Sequence, residues 1–120
     1  MTSKFTELCI DCAEPKRLAE FWSQVLDYKI DDDDDDDEVE IKGPAGSGPT
    51  ILFIKVPEAK TVKNRLHIDV NAFDRSQDEE VERIIGLGAQ RVDIGQGEQT
   101  WVVLADPEGN EFCVLRSRAS

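Results

Sequence analysis

The sequence has a single histidine, His67, and lacks the features that define several common functional classes. It has no apolar run near the about 20 residues that a membrane-spanning helix needs. It has no glycine-rich phosphate loop, no Ser/His/Asp arrangement and no pair of CxxC motifs at zinc-finger spacing. One histidine leaves little room for the common forms of acid–base catalysis. Because the N-terminal residues lack the apolar stretch of a signal peptide, we expect a cytoplasmic protein that does not span a membrane.

Basic residues are scarce as well. The 120 residues include 14 basic and 26 acidic side chains, which gives a formal net charge of −12. This charge repels phosphate-rich partners, so we expect no nucleic-acid binding. The unbroken acidic run Asp31–Asp37 predicts a solvated loop, because its like charges repel one another. A calcium site is the weaker interpretation, since the run lacks the glycine and carbonyl spacing of a calcium loop.

The chain has three cysteines, Cys9, Cys12 and Cys113, and this odd number favours free thiols. The spacing Cys9-x-x-Cys12 is also found in redox motifs. However, residues three apart on a β-strand point to opposite faces of the sheet. A thioredoxin-like role is therefore disfavoured.

The second half of the chain repeats the first. The sequence LCIDC at 8–12 is followed 58 residues later by LHIDV at 66–70. Each copy continues into a helical pattern, which begins at Pro15 in the first copy and spans Gln77–Leu87 in the second. The strands are predicted at 4–12, 28–30, 38–41 and 51–56, and again at 65–70, 90–94, 100–104 and 111–115. The element order is therefore βαβββ, twice.

A chain of this length suits one domain with a substantial core. We predict a single domain over residues 1–120, with a first module at about 4–56, a polar linker at 57–64 and a second module at about 65–116.

Strand alternation divides the residues of each module between a helix-covered face and an open face. In the second module the apolar residues assigned to the helix side are Leu66, Ile68, Val70, Phe112 and Val114. The residues assigned to the open face are His67, Asp69, Glu111, Cys113 and Leu115, and their counterparts in the first module are Cys9 and Asp11. Alternation thus predicts that the chemically interesting side chains share one uncovered surface.

The double βαβββ pattern resembles the vicinal oxygen chelate superfamily, which includes glyoxalase I, bleomycin-resistance proteins, fosfomycin-resistance enzymes and extradiol dioxygenases. The nearest resemblance is to its small bacterial glyoxalase-like domain proteins. The segments that carry it are DCAEP at 11–15, LAEFW at 18–22, KNRLHID at 63–69, LGA at 87–89 and WVVLADPEGNEFCVL at 101–115. The resemblance implies an α+β fold in which two βαβββ modules, related by a pseudo-twofold repeat, form a mixed curved sheet with a helix on the outer face of each module.

The metal-dependent members of this superfamily hold a divalent ion with a His, His and Glu set. By position, the resemblance assigns two of these ligands to His67 and Glu111, and it makes Glu111 the candidate catalytic residue. Cys9 stands in place of the first-module histidine, and Thr50 stands where glyoxalase I has an acidic residue. Cysteine is a legitimate zinc ligand, so the implied cofactor is one divalent metal ion, zinc or another first-row ion.

Each of these residues also has a structural interpretation. His67 can simply hydrogen-bond Asp69, Glu111 or a backbone carbonyl. Asp11 and Asp69 occupy equivalent places, where they either bond the loop that leads into the helix or line a cleft.

The two tryptophans differ in their expected roles. Trp22 lies in the apolar stripe of the first helix and is expected in the core. Either Trp101 or Val102 packs under the second helix. If Trp101 faces the cleft instead, it is a wall against which a flat or apolar ligand stacks. The ligand-binding candidates are therefore Trp101, Asp69, Asp11 and Cys113.

Two functions follow from the resemblance. The first is small-molecule binding in a cleft on the concave sheet face, without a complete catalytic metal site, and an acidic cleft favours cationic ligands. The second is a metal-dependent lyase, isomerase or dioxygenase acting on a vicinal-oxygen substrate, with Cys9, His67 and Glu111 around the ion. We favour the binding function, because it does not require a complete set of metal ligands. We also expect a homodimer, since free sheet edges favour pairing.

Overall fold

A computed structural model describes residues 2–31, 36–45, 47–92 and 100–116. The chain divides into two compact units, Met1–Ala59 and Lys60–Ser120. Each unit has a strand, a helix and three further strands, so the predicted order of βαβββ, twice, is confirmed.

The first unit is a four-stranded mixed sheet with one helix. Its elements are β1 Glu7–Cys12, α1 Pro15–Leu26, β2 Lys29–Asp31, β3 Glu38–Lys42 and β4 Thr50–Lys55. The strand order is β1-β4-β3-β2, with β1 and β4 parallel and the other pairs antiparallel.

Helix α1 begins with a proline in its first turn, where a missing backbone N–H costs nothing. It ends at Asp27, which takes a left-handed conformation with φ of 57°. The apolar side of the helix is buried, and Trp22 is among its most buried side chains, as predicted. The ring of Phe21 packs edge-on against Trp22 with centroids 5.3 Å apart.

The second unit repeats this architecture. Its elements are β5 Ile68–Asn71, α2 Gln77–Leu87, β6 Gln90–Arg91, β7 Val102–Ala105 and β8 Glu111–Leu115. The strand order is β5-β8-β7-β6, with β5 and β8 parallel and the other pairs antiparallel. The bounds of α2 and β8 agree with those predicted from the sequence.

A capping box stabilises the N-terminus of helix α2. The Ser76 hydroxyl accepts a hydrogen bond from the Glu79 backbone N–H, and the Glu79 carboxylate accepts one from the Ser76 N–H. These bonds satisfy two donors that a helix start leaves unpaired. The helix buries Val81 and Ile84, while Phe112 and Val114 of β8 are buried as predicted.

The start of β5 differs from the prediction. Leu66 was assigned to the helix-covered face, but the strand begins only at Ile68 and Leu66 is 82% exposed. The physical reason lies in the preceding segment, where Asn64 is hydrogen-bonded to the turn before β8 instead of continuing a strand ladder.

Other predictions fall partly outside the described residues. Positions 93 and 94 of the predicted strand 90–94 lie there, as do positions 32–35 of the acidic run. Of the rest of that run, Asp31 ends β2 and the exposed Asp36 forms an ion pair with Lys16 at 2.6 Å. Neither described helix is long and apolar enough to cross a membrane.

Candidate functional site

The candidate site of the second unit is built on the parallel pair β5 and β8. In their register, Ile68 is opposite Phe112 and Asp69 is opposite Cys113. Successive side chains on a strand point to opposite faces, so Asp69 and Cys113 share the face that Phe112 does not. His67 lies two positions before Asp69 and extends the same row.

Three of these side chains form a cluster. The His67 Nε2 atom lies 3.7 Å from the Asp69 Oδ1 atom. One ligand atom from each of His67, Asp69 and Cys113 lies within 4.8 Å of the other two. The side chains of His67 and Asp69 are 45% and 48% exposed, whereas Cys113 is only 7% exposed. The cluster therefore has a buried sulfur and an open, polar entrance.

The thiol of Cys113 is not set up as a nucleophile. Burial is the main influence that raises its pKa, and the negative charge of Asp69 and a hydrogen bond with Asp69 raise it further. A nucleophilic cysteine needs the opposite, a lowered pKa next to a base or a cation. The positive charge of Lys63 lowers the pKa of Cys113, but it is the smallest of these influences. This environment holds Cys113 as a neutral thiol that hydrogen-bonds Asp69.

Glu111, the candidate catalytic residue, has its own partners. Its carboxylate accepts hydrogen bonds from Lys60 Nζ at 3.1 Å and from the Asn64 backbone N–H at 3.4 Å. The side chains of Lys60 and Glu111 are 21% and 14% exposed, so solvent only partly screens this ion pair. Burial by itself raises the pKa of Glu111. Hydrogen bonds from its own backbone N–H, Lys60 and Asn64 outweigh that effect and hold the pKa below its usual range.

A tight turn holds Glu111 at the start of β8. The buried Asp106 carboxylate accepts hydrogen bonds from the backbone N–H groups of Glu108 and Asn110 at 2.9 and 3.0 Å. Gly109 completes the turn with φ of +87°, a conformation that disfavours other residues. The Asn64 side chain then donates to the Asn110 side-chain oxygen at 2.9 Å. The segment before β5 is thereby fastened to the residue next to Glu111.

Sequence reasoning missed Lys60 and Asn64. Both lie in the segment predicted to be a polar linker, and no spacing rule connects a linker with a strand about 50 residues away. The KNRLHID segment at 63–69 includes Asn64 and so offered a signal for it, but Lys60 lies outside that segment.

The candidate residues of the first unit lie on β1. Cys9 and Asp11 are both exposed, and they pair in register with Leu52 and Ile54. Cys12 is buried, and its thiol donates to the Ile54 carbonyl oxygen at 3.6 Å. The contrast in burial between Cys9 and Cys12 agrees with the prediction that they point to opposite faces. Whether Cys9, His67 and Glu111 hold one ion stays a prediction.

Trp101 lies directly before β7 and is 37% exposed. Val103, two residues later, is opposite Cys113, so alternation places Trp101 on the same face as Cys113. The Gln77 side-chain amide donates to the Thr100 and Val114 carbonyl oxygens at 2.8 and 3.0 Å. These bonds tie the residue before Trp101 to the adjacent strand.

Comparisons with known proteins agree with this architecture. The family model of the glyoxalase-like domain matches residues 7–115. A glyoxalase/bleomycin resistance protein/dioxygenase family enzyme from Burkholderia phytofirmans PsJN has a TM-score of 0.70 at 15% identity, covering 93% of this chain and 97% of its own. No curated protein sequence matches the chain.

Fosfomycin-resistance proteins also share the fold. FosX from Mesorhizobium loti has a TM-score of 0.70 at 15% identity, covering 99% of this chain and 95% of its own. A FosX mutant from Listeria monocytogenes, solved with Mn(II) and 1S,2S-dihydroxypropylphosphonic acid, has a TM-score of 0.69 at 15% identity, covering 99% and 94%. At this identity the likeness establishes the fold alone.

Replacing Lys60 with methionine tests the role of its ion pair with Glu111. We expect the pKa of Glu111 to rise and the free energy of unfolding at neutral pH to fall by about 1–3 kcal/mol, because a partly buried charged hydrogen bond is lost. The pKa of Glu111 is lower in the folded protein than the unfolded-state value of about 4.3. The ionised carboxylate therefore stabilises the fold at pH values above about 4.3, and this contribution disappears as the pH falls through the folded-state pKa. The stability difference between wild type and Lys60→Met should therefore shrink in acid.

Urea unfolding over a range of pH and an NMR titration of the Glu111 carboxyl carbon measure both effects. Lys4→Met, at an exposed position before β1, is the matched control and should change stability by less than about 0.5 kcal/mol. An unaltered pKa of Glu111 in Lys60→Met would contradict the role given to Lys60.

Proposed function

The chain belongs to the glyoxalase-like domain family, and on that premise we propose that it binds a small, positively charged organic molecule. One observation carries this proposal. Each module presents an exposed aspartate at the same place on its first strand, Asp11 in β1 and Asp69 in β5. Exposed carboxylates at equivalent positions of a repeat attract and orient cations.

In the second unit the surroundings of Asp69 suit such a ligand. His67 lies beside it with a side chain that is 45% exposed, and register puts Trp101 on the same face of the sheet. An aromatic ring on the same sheet face as a carboxylate favours an organic cation, because the face of the ring attracts positive charge. Cys113 lies at the base of this surface. The net charge of −12 favours cations in general and disfavours nucleic acids.

The second candidate function is a divalent-metal-dependent lyase, isomerase or dioxygenase acting on a vicinal-oxygen substrate. The ionised Glu111 carboxylate supports it, because such a group can act as a metal ligand or a base together with Cys9 and His67. We rank it second because that carboxylate already accepts hydrogen bonds from Lys60 and Asn64, and Lys60 compensates its charge. A ligand-binding function needs no rearrangement of these bonds.

We propose that the two modules act as one domain, over residues 1–120, and that the protein is cytoplasmic. All three cysteines are free thiols, which agrees with a reducing compartment.

We further propose a homodimer. Phe73 is fully exposed, and Leu66 and Val62 are 82% and 74% exposed. Exposed apolar side chains that gather into one patch are typical of protein–protein contacts, and we propose that these residues contribute to such a patch. Sedimentation equilibrium should give twice the chain mass of 13.5 kDa. A mass of one chain at micromolar concentration would contradict the proposal.

Calorimetry with probes of opposite charge tests the ligand class. Metal-free bleomycin and spermidine are the cationic probes, and fosfomycin, a phosphonate, is the anionic one. We expect the cations to bind and to change the fluorescence of Trp101, while fosfomycin does not bind. Asp69→Asn should weaken the binding of the cations about tenfold, because a charged contact of about 1.4 kcal/mol is lost.

Asp78→Asn, at an exposed position of α2, is the control and should leave affinity unchanged. Trp101→Phe separates the signal of Trp101 from that of the buried Trp22. Tighter binding of fosfomycin than of either cation would overturn the proposal.

A further inference from the structure

We propose that His67, Asp69 and Cys113 together form a zinc-binding site on the face of β5 and β8. This inference goes beyond the proposed function and does not depend on an organic ligand. The buried acids Glu80 and Asp106 already have structural partners. Glu80 forms two bonds with Arg83 at 2.8 Å, and Asp106 accepts backbone N–H groups of its own turn.

The geometry of the cluster is close to what zinc requires. With bond lengths of roughly 2.0–2.3 Å, ligand atoms around a tetrahedral zinc ion are separated by roughly 3.3–3.8 Å. The distance of 3.7 Å between His67 Nε2 and Asp69 Oδ1 already lies in this range. All three ligand atoms lie within 4.8 Å of one another, so movements of about 1 Å close the site. Rotations of the half-exposed His67 and Asp69 side chains provide such movements.

The donor set also favours zinc over other common ions. One nitrogen, one oxygen and one sulfur form a mixed set that is typical of zinc, whereas magnesium and calcium prefer oxygen alone. The sulfur is buried and the other two ligands are half exposed, which gives an ion a path of entry. Three protein ligands leave a fourth position open, and zinc bound there would act as a Lewis acid toward an oxygen of a ligand.

This set differs from the one implied by the resemblance, with which it shares only His67. Glu111 is hydrogen-bonded to Lys60 and Asn64, and Lys60 compensates its charge without an ion. Asp69 and Cys113 are opposite each other in the register of β5 and β8, so the strand pairing itself brings them together. The difference between the two sets makes the proposal testable residue by residue.

The test uses Co(II), a spectroscopic substitute for zinc, added to the full-length, metal-free protein. Wild type should bind one equivalent and show a thiolate-to-cobalt charge-transfer band, which zinc then abolishes by displacement. Cys113→Ser should remove the band. Asp69→Asn should weaken cobalt binding by more than about 100-fold, because losing a metal ligand costs more affinity than losing a residue that only hydrogen-bonds to a ligand. Cys9→Ser and Glu111→Gln test the ligand set implied by the resemblance, and both should keep the band if His67, Asp69 and Cys113 hold the ion. Asp78→Asn, at an exposed position of α2, is the matched control and should keep both band and affinity.

Two outcomes would overturn the proposal. One is the absence of cobalt binding by wild type, and the other is loss of the band in Cys9→Ser but not in Cys113→Ser. Circular dichroism of each metal-free variant checks folding, and Cys113→Ala replaces Cys113→Ser if the serine variant does not fold. Spermidine binding in the presence of a chelator should survive in the Cys113 variant. Failure of the zinc site is thereby distinguished from failure of the proposed ligand binding.

Discussion

The register of β8 against β5 is the constraint on which the candidate site depends. Phe112 and Val114 are fully buried, and Cys113 between them points to the opposite face. Burial of such a side chain is worth about 1.5–3 kcal/mol. A shift of β8 by one residue would expose both side chains and cost about 3–6 kcal/mol of burial free energy. The free energy of unfolding of a domain is about 5–15 kcal/mol, so this loss is a large share of it. Burial of Phe112 and Val114 thus fixes the positions of the side chains on the other face of the sheet.

One face of the second sheet consequently holds two chemically separate groups. Glu111 is ionised and bonded to Lys60, while His67, Asp69 and Cys113 lie together within 4.8 Å. The Lys60 bond satisfies a carboxylate that burial would otherwise penalise. Because Lys60 compensates the charge of Glu111, Asp69 is the carboxylate of the row that we expect to meet a cation. This division of roles underlies both the proposed binding of cationic ligands and the proposed zinc site.

Local patterns in the sequence were sufficient for much of this description. The bounds of α2 and β8, the burial of Trp22 and the opposite burial of Cys9 and Cys12 follow from periodicity and alternation. The repeat alone predicted that both modules share one element order.

Long-range contacts were beyond those patterns. Leu66 was assigned to the strand because its apolar character fits the alternation, but Asn64 holds the preceding chain against the Asp106–Asn110 turn. Lys60 could not be connected with Glu111, since the pairing depends on how a linker folds back. The raised pKa of the Cys113 thiol likewise depends on Asp69 from another strand. Alternation assigns a residue to a face, whereas its partners on that face depend on the tertiary fold.

The most direct test of the account is the register of β5 and β8 in solution, measured by cross-strand nuclear Overhauser effects in the isotope-labelled protein. The account predicts contacts that pair Ile68 with Phe112 and Asp69 with Cys113, and a hydrogen-exchange core that includes Val114. Contacts that instead pair Asp69 with Phe112 or with Val114 would contradict it. In either case Cys113 would point to the opposite face from Asp69, and His67, Asp69 and Cys113 would not form a cluster.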